Sequence, residues 1–337
     1  MIDFSRARVL VTGGAGFIGS ALVWELNRRG CERIVIADFL ESSEKWRNLS
    51  PLAFEDYLEA DDLLARLGSA SLGRFDVVLH MGACSSTTER NAAYLARNNY
   101  QFTKDLAACA LSSNARFVYA SSAATYGDGA AGMRDDASLA YLHTLRPLNM
   151  YGYSKQMFDL YAARRGIIDK IAGLKFFNIF GPNENHKGDM RSLVNKAYDQ
   201  VMETGEIKLF RSYRPDYADG EQKRDFLYVK DAVAMTLHVA ANDSANGLFN
   251  VGSGEANSWL DLANAVFAAL GKPSNIRFID MPDELRSKYQ YFTQADIKRV
   301  RESGYAAPVT TLADGVANYV REYLAPGRRL GDTPNSQ

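Results

Sequence analysis

The stretch that decides the fold covers residues 9–19 and reads VLVTGGAGFIG. The run from Arg8 to Thr12 is apolar and β-branched, which indicates a buried strand. Four glycines fall within residues 13–19, and an apolar stripe from Ile18 to Leu26 then predicts a helix. Glycines between a strand and a helix let the backbone approach a pyrophosphate that lies on the helix N-terminus. The stretch therefore predicts a turn that binds a dinucleotide.

The end of the second predicted strand bears on which dinucleotide is bound. This strand runs from Arg33 to Ala37 and is followed by Asp38, at the position where an acidic side chain accepts the ribose hydroxyls of NAD. Lys45 and Arg47 follow closely, and their cationic side chains suit the 2′-phosphate of NADP. The charge pattern alone leaves NAD and NADP open.

Three later apolar runs predict further strands, from Val77 to His80, from Phe117 to Ala120 and from Lys175 to Phe180. Small and polar residues follow the first two runs, at 81–88 and 121–122. Because ligands bind beyond the carboxyl ends of parallel strands, these turns are expected to face one crevice. Strands that alternate with helical segments predict an α/β fold with a mostly parallel, doubly wound sheet of the Rossmann type.

Two of the predicted elements carry polar residues in unusual places. His80 ends an apolar strand, where a histidine is more often hydrogen-bonded than catalytic. The predicted helix from Asn91 to Ser112 contains Asn98 and Asn99. Two asparagines inside a helix cost helix propensity, so at least one is expected to have a buried or ligand-facing role.

The second half of the chain has shorter predicted elements. We expect residues 1–178 to form a dinucleotide-binding Rossmann domain that also carries catalytic residues. Residues 179–330 are expected to form mainly a smaller C-terminal α/β domain for the substrate, with chain near 225–255 returning to the Rossmann sheet. Helices are predicted at 192–202, 258–270, 293–303 and 311–324, and strands near Leu209, at 248–251 and at 276–279.

The chain has 337 residues, a formal net charge of −1 and a pI of about 6.5. This charge balance gives no case for binding nucleic acid or an anionic membrane, so a small molecule is the expected partner. Cys31, Cys84 and Cys109 form no C-x-x-C pair and have no histidine cluster nearby, which argues against a disulfide scaffold and a metal site. The N-terminus leaves no room for a signal peptide, and no apolar run reaches the roughly 18 residues of a membrane span. We therefore expect a cytoplasmic protein.

A tyrosine and a lysine stand four residues apart, at Tyr151 and Lys155. On a helix they would share a face, where the ammonium favours the phenolate by opposite charge. Lowering the pKa of a tyrosine from about 10 to about 7 takes roughly 4 kcal/mol. A tyrosine activated in this way would act as an acid or base at neutral pH. An isolated pair of this kind is most often a coincidence, so other residues must support it.

Taken with the turn at 13–19 and with Ser122, the pair gives the chain a resemblance to a known family. The chain resembles the extended short-chain dehydrogenase/reductases that act on nucleotide sugars, whose triad is a Ser, a Tyr and a Lys in this order. The closer resemblance is to the ADP-heptose 6-epimerase branch of that family. It is carried by GACSSTTE at 82–89, NNYQ at 98–101, YASSAATYG at 119–127, HKG at 186–188 and YQYFTQAD at 289–296.

The resemblance implies a role for each matching residue. Ser122, Tyr151 and Lys155 would form the catalytic triad, and Lys187 would be a second acid or base. The dinucleotide would be contacted by Gly13, Gly16, Phe17, Ile18, Gly19, Asp38, Lys45, Met81, Gly82, Ala83, Cys84, Ser85, Asn98, Lys155 and Ile179. The sugar nucleotide would be contacted by Ser86, Asn178, Lys187, Asp189, Lys196, Phe210, Arg224 and Tyr289.

The implied reaction is epimerisation at C6 of an ADP-linked heptose, a step that feeds synthesis of the lipopolysaccharide inner core. A tightly bound NADP, or else NAD, would oxidise C6 to a ketone and reduce it again from the other face. Tyr151 and Lys187 would each serve one hand of the sugar. Ser122 would hydrogen-bond to the sugar oxygen, and Lys155 would bind ribose and lower the pKa of Tyr151. We also expect a homo-oligomer.

Three alternative functions follow from the same residues. A UDP-hexose 4-epimerase needs a single tyrosine, and a second base would then be dispensable. A 4,6-dehydratase is disfavoured because Ala123 and Ala124 stand where such relatives carry an Asp-Glu pair. A non-catalytic, dinucleotide-sensing protein is disfavoured because the triad is retained. Departures from the 6-epimerase pattern at Phe39, at Asp189 and in the longer segment 211–222 weaken the predicted substrate contacts rather than the chemistry.

Overall fold

The computed structural model describes residues 1–286 and 289–333. Its strands are β1 (Val9–Thr12), β2 (Ile34–Asp38), β3 (Asp56–Glu59), β4 (Val77–His80), β5 (Arg116–Ser122), β6 (Ala172–Phe176), β7 (Asn178–Phe180), β8 (Ile207–Phe210), β9 (Lys223–Arg224), β10 (Phe226–Tyr228), β11 (Gly247–Val251), β12 (Asn257–Ser258) and β13 (Ile276–Ile279). Seven of them form one parallel sheet in the order β3-β2-β1-β4-β5-β6-β11.

Helices accompany these strands along the chain. The α-helices are α1 (Phe17–Arg28), α2 (Trp46–Leu49), α3 (Ala60–Gly68), α4 (Ala92–Leu95), α5 (Phe102–Ser112), α6 (Leu139–Leu142), α7 (Met150–Arg164), α8 (Leu193–Thr204), α9 (Val229–Ala241), α10 (Trp259–Leu270), α11 (Asp283–Arg286), α12 (Lys298–Glu302) and α13 (Leu312–Tyr319). The 3₁₀ segments are Ala123–Tyr126, Ile168–Lys170 and Asn185–Met190, and the π segments are Ala96–Gln101 and Val320–Leu324. Within the described ranges, no helix is both long enough and apolar enough to span a membrane.

Helices cover both faces of the large sheet because its strands are apolar on both sides. In β1, Val9 and Val11 pack into a core with α1 and α9, whereas Leu10 packs into the core with α3, α5 and α7. All of β1 is buried, which explains its continuous apolar run in the sequence. The strand order reverses between β1 and β4, so their carboxyl ends open a crevice. The predicted doubly wound, parallel sheet is confirmed.

The chain after residue 178 adds three small sheets and a layer of helices. Strand β7 pairs with β10 and β8 pairs with β13, both in parallel, while β9 pairs with β12 in antiparallel fashion. Helix α10 packs against α8 and α13. Strand β11 joins the large sheet and pairs along β6, from Gly247 opposite Ala172 to Val251 opposite Phe176. A division into two domains at residue 178 stays a prediction.

The single strand expected from Lys175 to Phe180 is wrong. Strand β6 ends just before Phe177, and β7 begins just after it in a different sheet. The Phe177 amide donates to the Val251 carbonyl at 3.0 Å, whereas the Asn178 amide donates to the Asp225 carbonyl at 3.1 Å. The backbone therefore changes hydrogen-bonding partner at this point, from β11 to the segment that leads into β10.

Two predicted helices also differ from the structure. The helix expected at 293–303 is wrong in its first half, because only α12 is helical. Before α12, the Ala295 amide donates to the Asp225 carboxylate at 2.9 Å, and this bond holds the chain in an extended course. The helix expected at 91–112 is continuous, but a π segment lies in its middle and Asn99 is buried there.

Gly19 allows α1 to approach the turn that precedes it. A methyl group at Gly19 would lie 2.0 Å from the carbonyl oxygen of Gly13, a distance at which the backbone has to move. Gly19→Ala is therefore expected to lower the free energy of unfolding by about 1–3 kcal/mol and to weaken binding of the expected dinucleotide. Denaturant unfolding and titration with NADPH, followed by its fluorescence, measure the two effects.

The matched control is Gly68→Ala, because nothing lies within 4 Å of a methyl group at that position. Gly68 is the last residue of α3, where alanine is a better helix former than glycine. Wild-type stability and NADPH binding in Gly19→Ala would contradict the predicted clash.

Candidate active site

A cavity of about 860 Å³ opens at the carboxyl ends of β1, β4, β5 and β6. Most of the predicted site residues line it, namely Gly13, Gly16, Phe17, Ile18, Gly19, Asp38, Lys45, Met81, Gly82, Ala83, Ser85, Ser122, Tyr151, Lys155, Asn178, Ile179, Lys187, Lys196, Phe210 and Tyr289. The structure therefore brings residues predicted for the dinucleotide, the triad and the substrate to one place.

The turn after β1 offers a cradle for a pyrophosphate. Gly13 has a φ of +67°, and a methyl group on it would lie 2.6 Å from the Gly82 amide nitrogen, so only glycine fits where the two loops meet. Gly16 is the N-cap of α1, and among the described residues no side chain caps this helix and none in its first turn is acidic. Amide groups without helical partners and the positive end of the helix dipole suit an anion. These residues fit a dinucleotide.

Asp38 faces the glycine turn and is already bonded to it. Its carboxylate accepts hydrogen bonds from the amides of Ala15, at 2.9 Å, and Gly16, at 3.1 Å. The Lys45 ammonium lies 3.1 Å from its other oxygen. Arg47, in contrast, pairs with a glutamate three residues before it and does not line the cavity. The acidic residue expected at the ribose thus has one cation beside it in the cavity, a pattern compatible with both NAD and NADP.

Ser122 and Tyr151 meet at the wall of the cavity. Ser122 is the last residue of β5, and its hydroxyl hydrogen-bonds to the Tyr151 phenol. Asn149 caps α7 by accepting a hydrogen bond from the Gly152 amide at 2.8 Å, which fixes where this helix begins. Lys155 follows Tyr151 by about one turn on the same helix, so the three predicted triad residues lie together.

Burial dominates the acid–base properties of Tyr151 and Lys155. Burial raises the pKa of Tyr151, and the hydrogen bond with Ser122 opposes this rise. Burial also lowers the pKa of Lys155 to about 8, against the attraction of Asp159. The lowered Tyr151 pKa expected from the sequence is therefore wrong for the protein's own groups, because removing the phenolate from water outweighs the hydrogen bond with Ser122.

Lys187 reaches the cavity from the 3₁₀ segment that follows β7. Its ammonium lies 5.2 Å from the centroid of the Phe17 ring, at the start of α1. Burial lowers the pKa of Lys187, and the negative charge of Glu184 opposes this. A lysine with a lowered pKa gives and takes a proton closer to neutral pH than an exposed one.

Buried polar groups hold the loop that carries Lys187. The Glu184 carboxylate is fully buried and accepts a hydrogen bond from the N-cap serine of α8 at 2.6 Å. Asn183 donates to the Ser20 hydroxyl of α1 at 3.0 Å and accepts from the Leu330 amide at 3.0 Å. These bonds fix Lys187 relative to the glycine turn.

Five of the predicted contact residues do not line the cavity, namely Cys84, Ser86, Asn98, Asp189 and Arg224. Asp189 is exposed, and its carbonyl oxygen accepts a hydrogen bond from Lys196 at 3.2 Å. The Ser86 hydroxyl lies 3.0 Å from that of Thr88 in the loop after β4. These residues lie around the cavity rather than on its wall.

Asn99, rather than Asn98, is the buried asparagine of the predicted helix. It accepts from the Cys84 amide and donates to the Cys84 carbonyl, each at 2.9 Å. It also donates to the Ser154 hydroxyl of α7 at 3.0 Å, while Asn98 donates to Asn99 itself. Asn99 thus ties the loop after β4 to the helix that carries Tyr151. The expectation that one asparagine has a buried role is confirmed.

Arg224 lies behind Tyr289 instead of on the cavity wall. Its guanidinium stands 5.1 Å from the centroid of the Tyr289 ring and 5.6 Å from that of Trp259. The guanidinium donates to the carbonyl oxygens of Lys223 and Gln290. The Trp259 indole donates to the Tyr289 hydroxyl at 2.8 Å, so Arg224 and Trp259 both support Tyr289.

Trp259 and His186 line the cavity but received no role from the sequence. Trp259 is the first residue of an apolar helix, so the sequence pattern predicts that it belongs to the hydrophobic core. His186 stands in the HKG motif, which was the available signal. Its Nδ1 lies 3.3 Å from the side-chain nitrogen Nδ2 of Asn48, and burial together with Lys45 and Lys187 lowers its pKa to about 4.

His80 is a buried bridge between two hydroxyl groups. Its Nδ1 lies 2.6 Å from the Thr12 hydroxyl oxygen, and its Nε2 lies 2.8 Å from that of Thr103. Burial lowers the pKa of His80 to about 3, so the ring is neutral at neutral pH. The structural role predicted for His80 is confirmed.

Neutral His80 is expected to make the fold sensitive to acid. Its pKa is about 3 in the folded protein against 6.5 in the unfolded chain, so below pH 6.5 the unfolded state binds the proton more readily. The stability that neutral His80 contributes is present above pH 6.5 and is lost as the pH falls toward 3, by about 1.4 kcal/mol for each pH unit. Denaturant titrations from neutral pH to about pH 5 measure this slope. His80→Gln should flatten it and the exposed His143→Gln should not, whereas equal slopes in all three proteins would count against the prediction.

The sequence matches the profile of the NAD dependent epimerase/dehydratase family over residues 9–252. A Nitratidesulfovibrio vulgaris (strain DP4) protein named ADP-L-glycero-D-manno-heptose-6-epimerase is 53% identical over 317 residues, which cover 94% of this chain and 98% of that relative. A Fusobacterium nucleatum protein of the same name is 45% identical over 325 residues, again with 94% and 98% covered. The crystal structure of the Helicobacter pylori ADP-L-glycero-D-manno-heptose-6-epimerase is similar with a TM-score of 0.77 at 27% identity, covering 95% of this chain and 97% of that one. The resemblance noted from the motifs is thereby confirmed, and the chain belongs to the NAD dependent epimerase/dehydratase family.

Proposed function

We propose that this protein inverts C6 of ADP-D-glycero-D-manno-heptose and so forms ADP-L-glycero-D-manno-heptose for the inner core of lipopolysaccharide. One observation carries the proposal. The Ser122, Tyr151 and Lys155 group and the half-buried Lys187 face the same cavity from different elements, so they would supply two separate proton carriers. The relatives that bear the name of this 6-epimerase support the choice of substrate.

A nicotinamide dinucleotide, bound in this cavity, would supply reversible hydride transfer at C6. The turn at 13–19 would hold its pyrophosphate, Asp38 and Lys45 its adenosine ribose, and Lys155 its nicotinamide ribose. The other predicted contacts are Met81, Gly82, Ala83, Cys84, Ser85, Asn98 and Ile179. We propose tightly bound NADP rather than NAD, because the Lys45 ammonium supplies a cation beside the ribose position.

Inversion of a carbinol carbon requires that a bond be broken, so C6 passes through a ketone. The two faces of that ketone need two proton carriers, because an acid or base must lie within about 3 Å of the oxygen that it serves. Tyr151 would serve the hydroxyl of one hand and Lys187 that of the other. Ser122 would donate a hydrogen bond to the oxygen at C6 and stabilise charge on it. The Lys155 ammonium would favour the Tyr151 phenolate, against the burial that disfavours it.

The rest of the substrate would occupy the end of the cavity near α8 and β8. Lys196 is a cation that suits a diphosphate, and Phe210 offers an aromatic face to the adenine. Asn178 and Tyr289 would contact the sugar, with Arg224 acting through Tyr289. Contacts of the substrate with Ser86 and Asp189 stay predictions.

The proposal is tested by mixing the purified protein with ADP-D-glycero-D-manno-heptose and following the C6 epimer by NMR. We expect conversion without added oxidant or reductant, because the net redox change is zero. UDP-glucose is the control substrate, since a UDP-hexose 4-epimerase would turn it over. The dinucleotide released on denaturation tells NADP from NAD.

Turnover of UDP-glucose with no conversion of the heptose would overturn the proposal. Failure to turn over any nucleotide sugar would instead favour a non-catalytic protein that binds a dinucleotide. A homo-oligomeric state and a cytoplasmic location stay predictions.

A further inference from the structure

A fully buried ion pair lies beneath the helix that carries Tyr151. The Lys175 ammonium of β6 is 2.6 Å from the Asp159 carboxylate of α7, and neither side chain has accessible surface. Apolar residues of similar size often replace such a pair at no cost in stability, so stability alone gives little reason for it. Neither residue lines the cavity.

The pair is bonded to the strand end that carries Ser122. Its carboxylate accepts hydrogen bonds from the hydroxyl groups of Tyr119 and Ser121, each at 2.8 Å. Its ammonium donates to the Thr125 hydroxyl at 2.7 Å, and this hydroxyl donates to the Ser122 carbonyl at 2.8 Å. The network therefore holds the residues on both sides of Ser122 against α7.

The same carboxylate also acts on Lys155. Asp159 follows Lys155 by four residues on α7, so the two side chains share a face of the helix. The negative charge of Asp159 is the largest influence that opposes the burial of the Lys155 ammonium. One carboxylate thus serves two lysines.

Other charged or titratable groups near Lys155 are few. Cys84, in the loop after β4, acts in the same direction as Asp159 but to a smaller extent. His80, at the end of β4, is neutral because it is buried. Tyr151 lies on the same helix, and β6 contributes the lysine that is already paired. Within the described residues, Asp159 is the carboxylate that acts on Lys155.

We propose that Asp159, anchored by Lys175, is a positioning residue that keeps the Lys155 ammonium charged and holds Ser122 against Tyr151. This rests on the proposed function of the triad. Lys175 anchors the buried carboxylate through the 2.6 Å ion pair, and the hydroxyl groups of Tyr119 and Ser121 hold it from β5. The network then supplies the cavity with a charged lysine and a fixed serine.

The charge of Lys155 can be followed without substrate. In full-length protein labelled with ¹³C at the lysine Cε atoms, NMR reports the titration of individual lysines, and Lys155→Met identifies the resonance. In Asp159→Asn, we expect Lys155 to titrate about one pH unit lower or more than in wild type, because an opposite charge has been removed. Lys175→Met removes the positive charge that is paired with Asp159 and leaves Lys155 as the cationic neighbour of that carboxylate. We therefore expect Lys155 to titrate at higher pH than in wild type.

The opposite signs of these two changes keep the inference testable if one variant does not fold. An unchanged or lower Lys155 titration in Lys175→Met overturns it, and so does an unchanged titration in Asp159→Asn. A merely structural role of the pair would move neither titration in the stated direction.

The pH dependence of turnover supplies a second readout. For Asp159→Asn we expect the high-pH limb of kcat to move to lower pH, and turnover near the wild-type limb falls about tenfold if the limb moves by about one pH unit. Asp159→Glu should restore the limb. A uniform loss at every pH with an unmoved limb contradicts the inference. If the wild type does not convert the heptose, the proposed function fails, and the NMR titration still decides the role of Asp159.

Discussion

Tyr151→Phe is expected to lower kcat by a factor of about 10² to 10⁴, the range that a general acid or base contributes. The substitution removes the phenol oxygen that would exchange a proton with the C6 hydroxyl of one hand. It also removes the hydrogen-bonding partner of Ser122. The aromatic ring remains, so the packing of α7 changes little. Epimer formation followed by NMR gives kcat, and thermal unfolding checks the fold.

The matched control for this change lies two residues further along the same helix. Tyr153 is 56% exposed and does not line the cavity. Tyr153→Phe should keep wild-type turnover. If Tyr151→Phe retains more than about a tenth of the wild-type rate, the phenol is not the proton carrier.

Lys187→Met is expected to lower kcat for epimerisation by a similar factor of about 10² to 10⁴. Methionine keeps much of the apolar length that packs beside Phe17 but cannot exchange a proton. Proton exchange with one hand of the heptose needs only Tyr151 and should survive. Oxidation of that epimer is then visible as absorbance of reduced dinucleotide, while NMR detects almost no second epimer.

This loss of inversion with survival of one half-reaction separates a second base from a residue that only binds substrate. A binding residue would lower both together. Lys170→Met, an exposed change in the 3₁₀ segment Ile168–Lys170, controls for the lost positive charge. Wild-type epimerisation in Lys187→Met would refute the scheme with two bases. It would favour a single tyrosine and a keto sugar that rotates in the pocket, as in a 4-epimerase.

The large sheet could be predicted because most of its strands are buried on both faces. β1 is a continuous apolar run, and it leads into a turn where a side chain at Gly13 or Gly19 would clash with backbone atoms. β3 escaped prediction because it is an edge strand in which only Leu58 is buried, while Asp56 and Glu59 are exposed. The end of β6 was not predicted because residues 175–180 form one largely apolar run in the sequence. The backbone partners nevertheless change within this run, from Val251 at Phe177 to Asp225 at Asn178.

The candidate site was predictable where motif residues project directly into the cavity, as Tyr151 and Lys187 do. The place of Arg224 behind an aromatic ring depends on residues distant in the sequence, which no local pattern specifies. The pKa direction of Tyr151 also depends on burial, which the spacing to Lys155 does not reveal. Lys175 was a further neglected signal, because it is a charged residue inside an apolar strand. Its partner on α7, Asp159, lies 16 residues earlier in the sequence, and no spacing rule connects the two.

The pairing of β11 with β6 has a consequence for how the chain is made. On the ribosome, β6 emerges well before β11, so one edge of the growing sheet stays unpaired while the intervening segments are synthesised. Exposed strand edges pair with other chains and promote aggregation. A gene fragment that stops at residue 178 would leave this edge permanently open. Residues 1–178 are therefore poorly suited to be expressed or exchanged as a separate module.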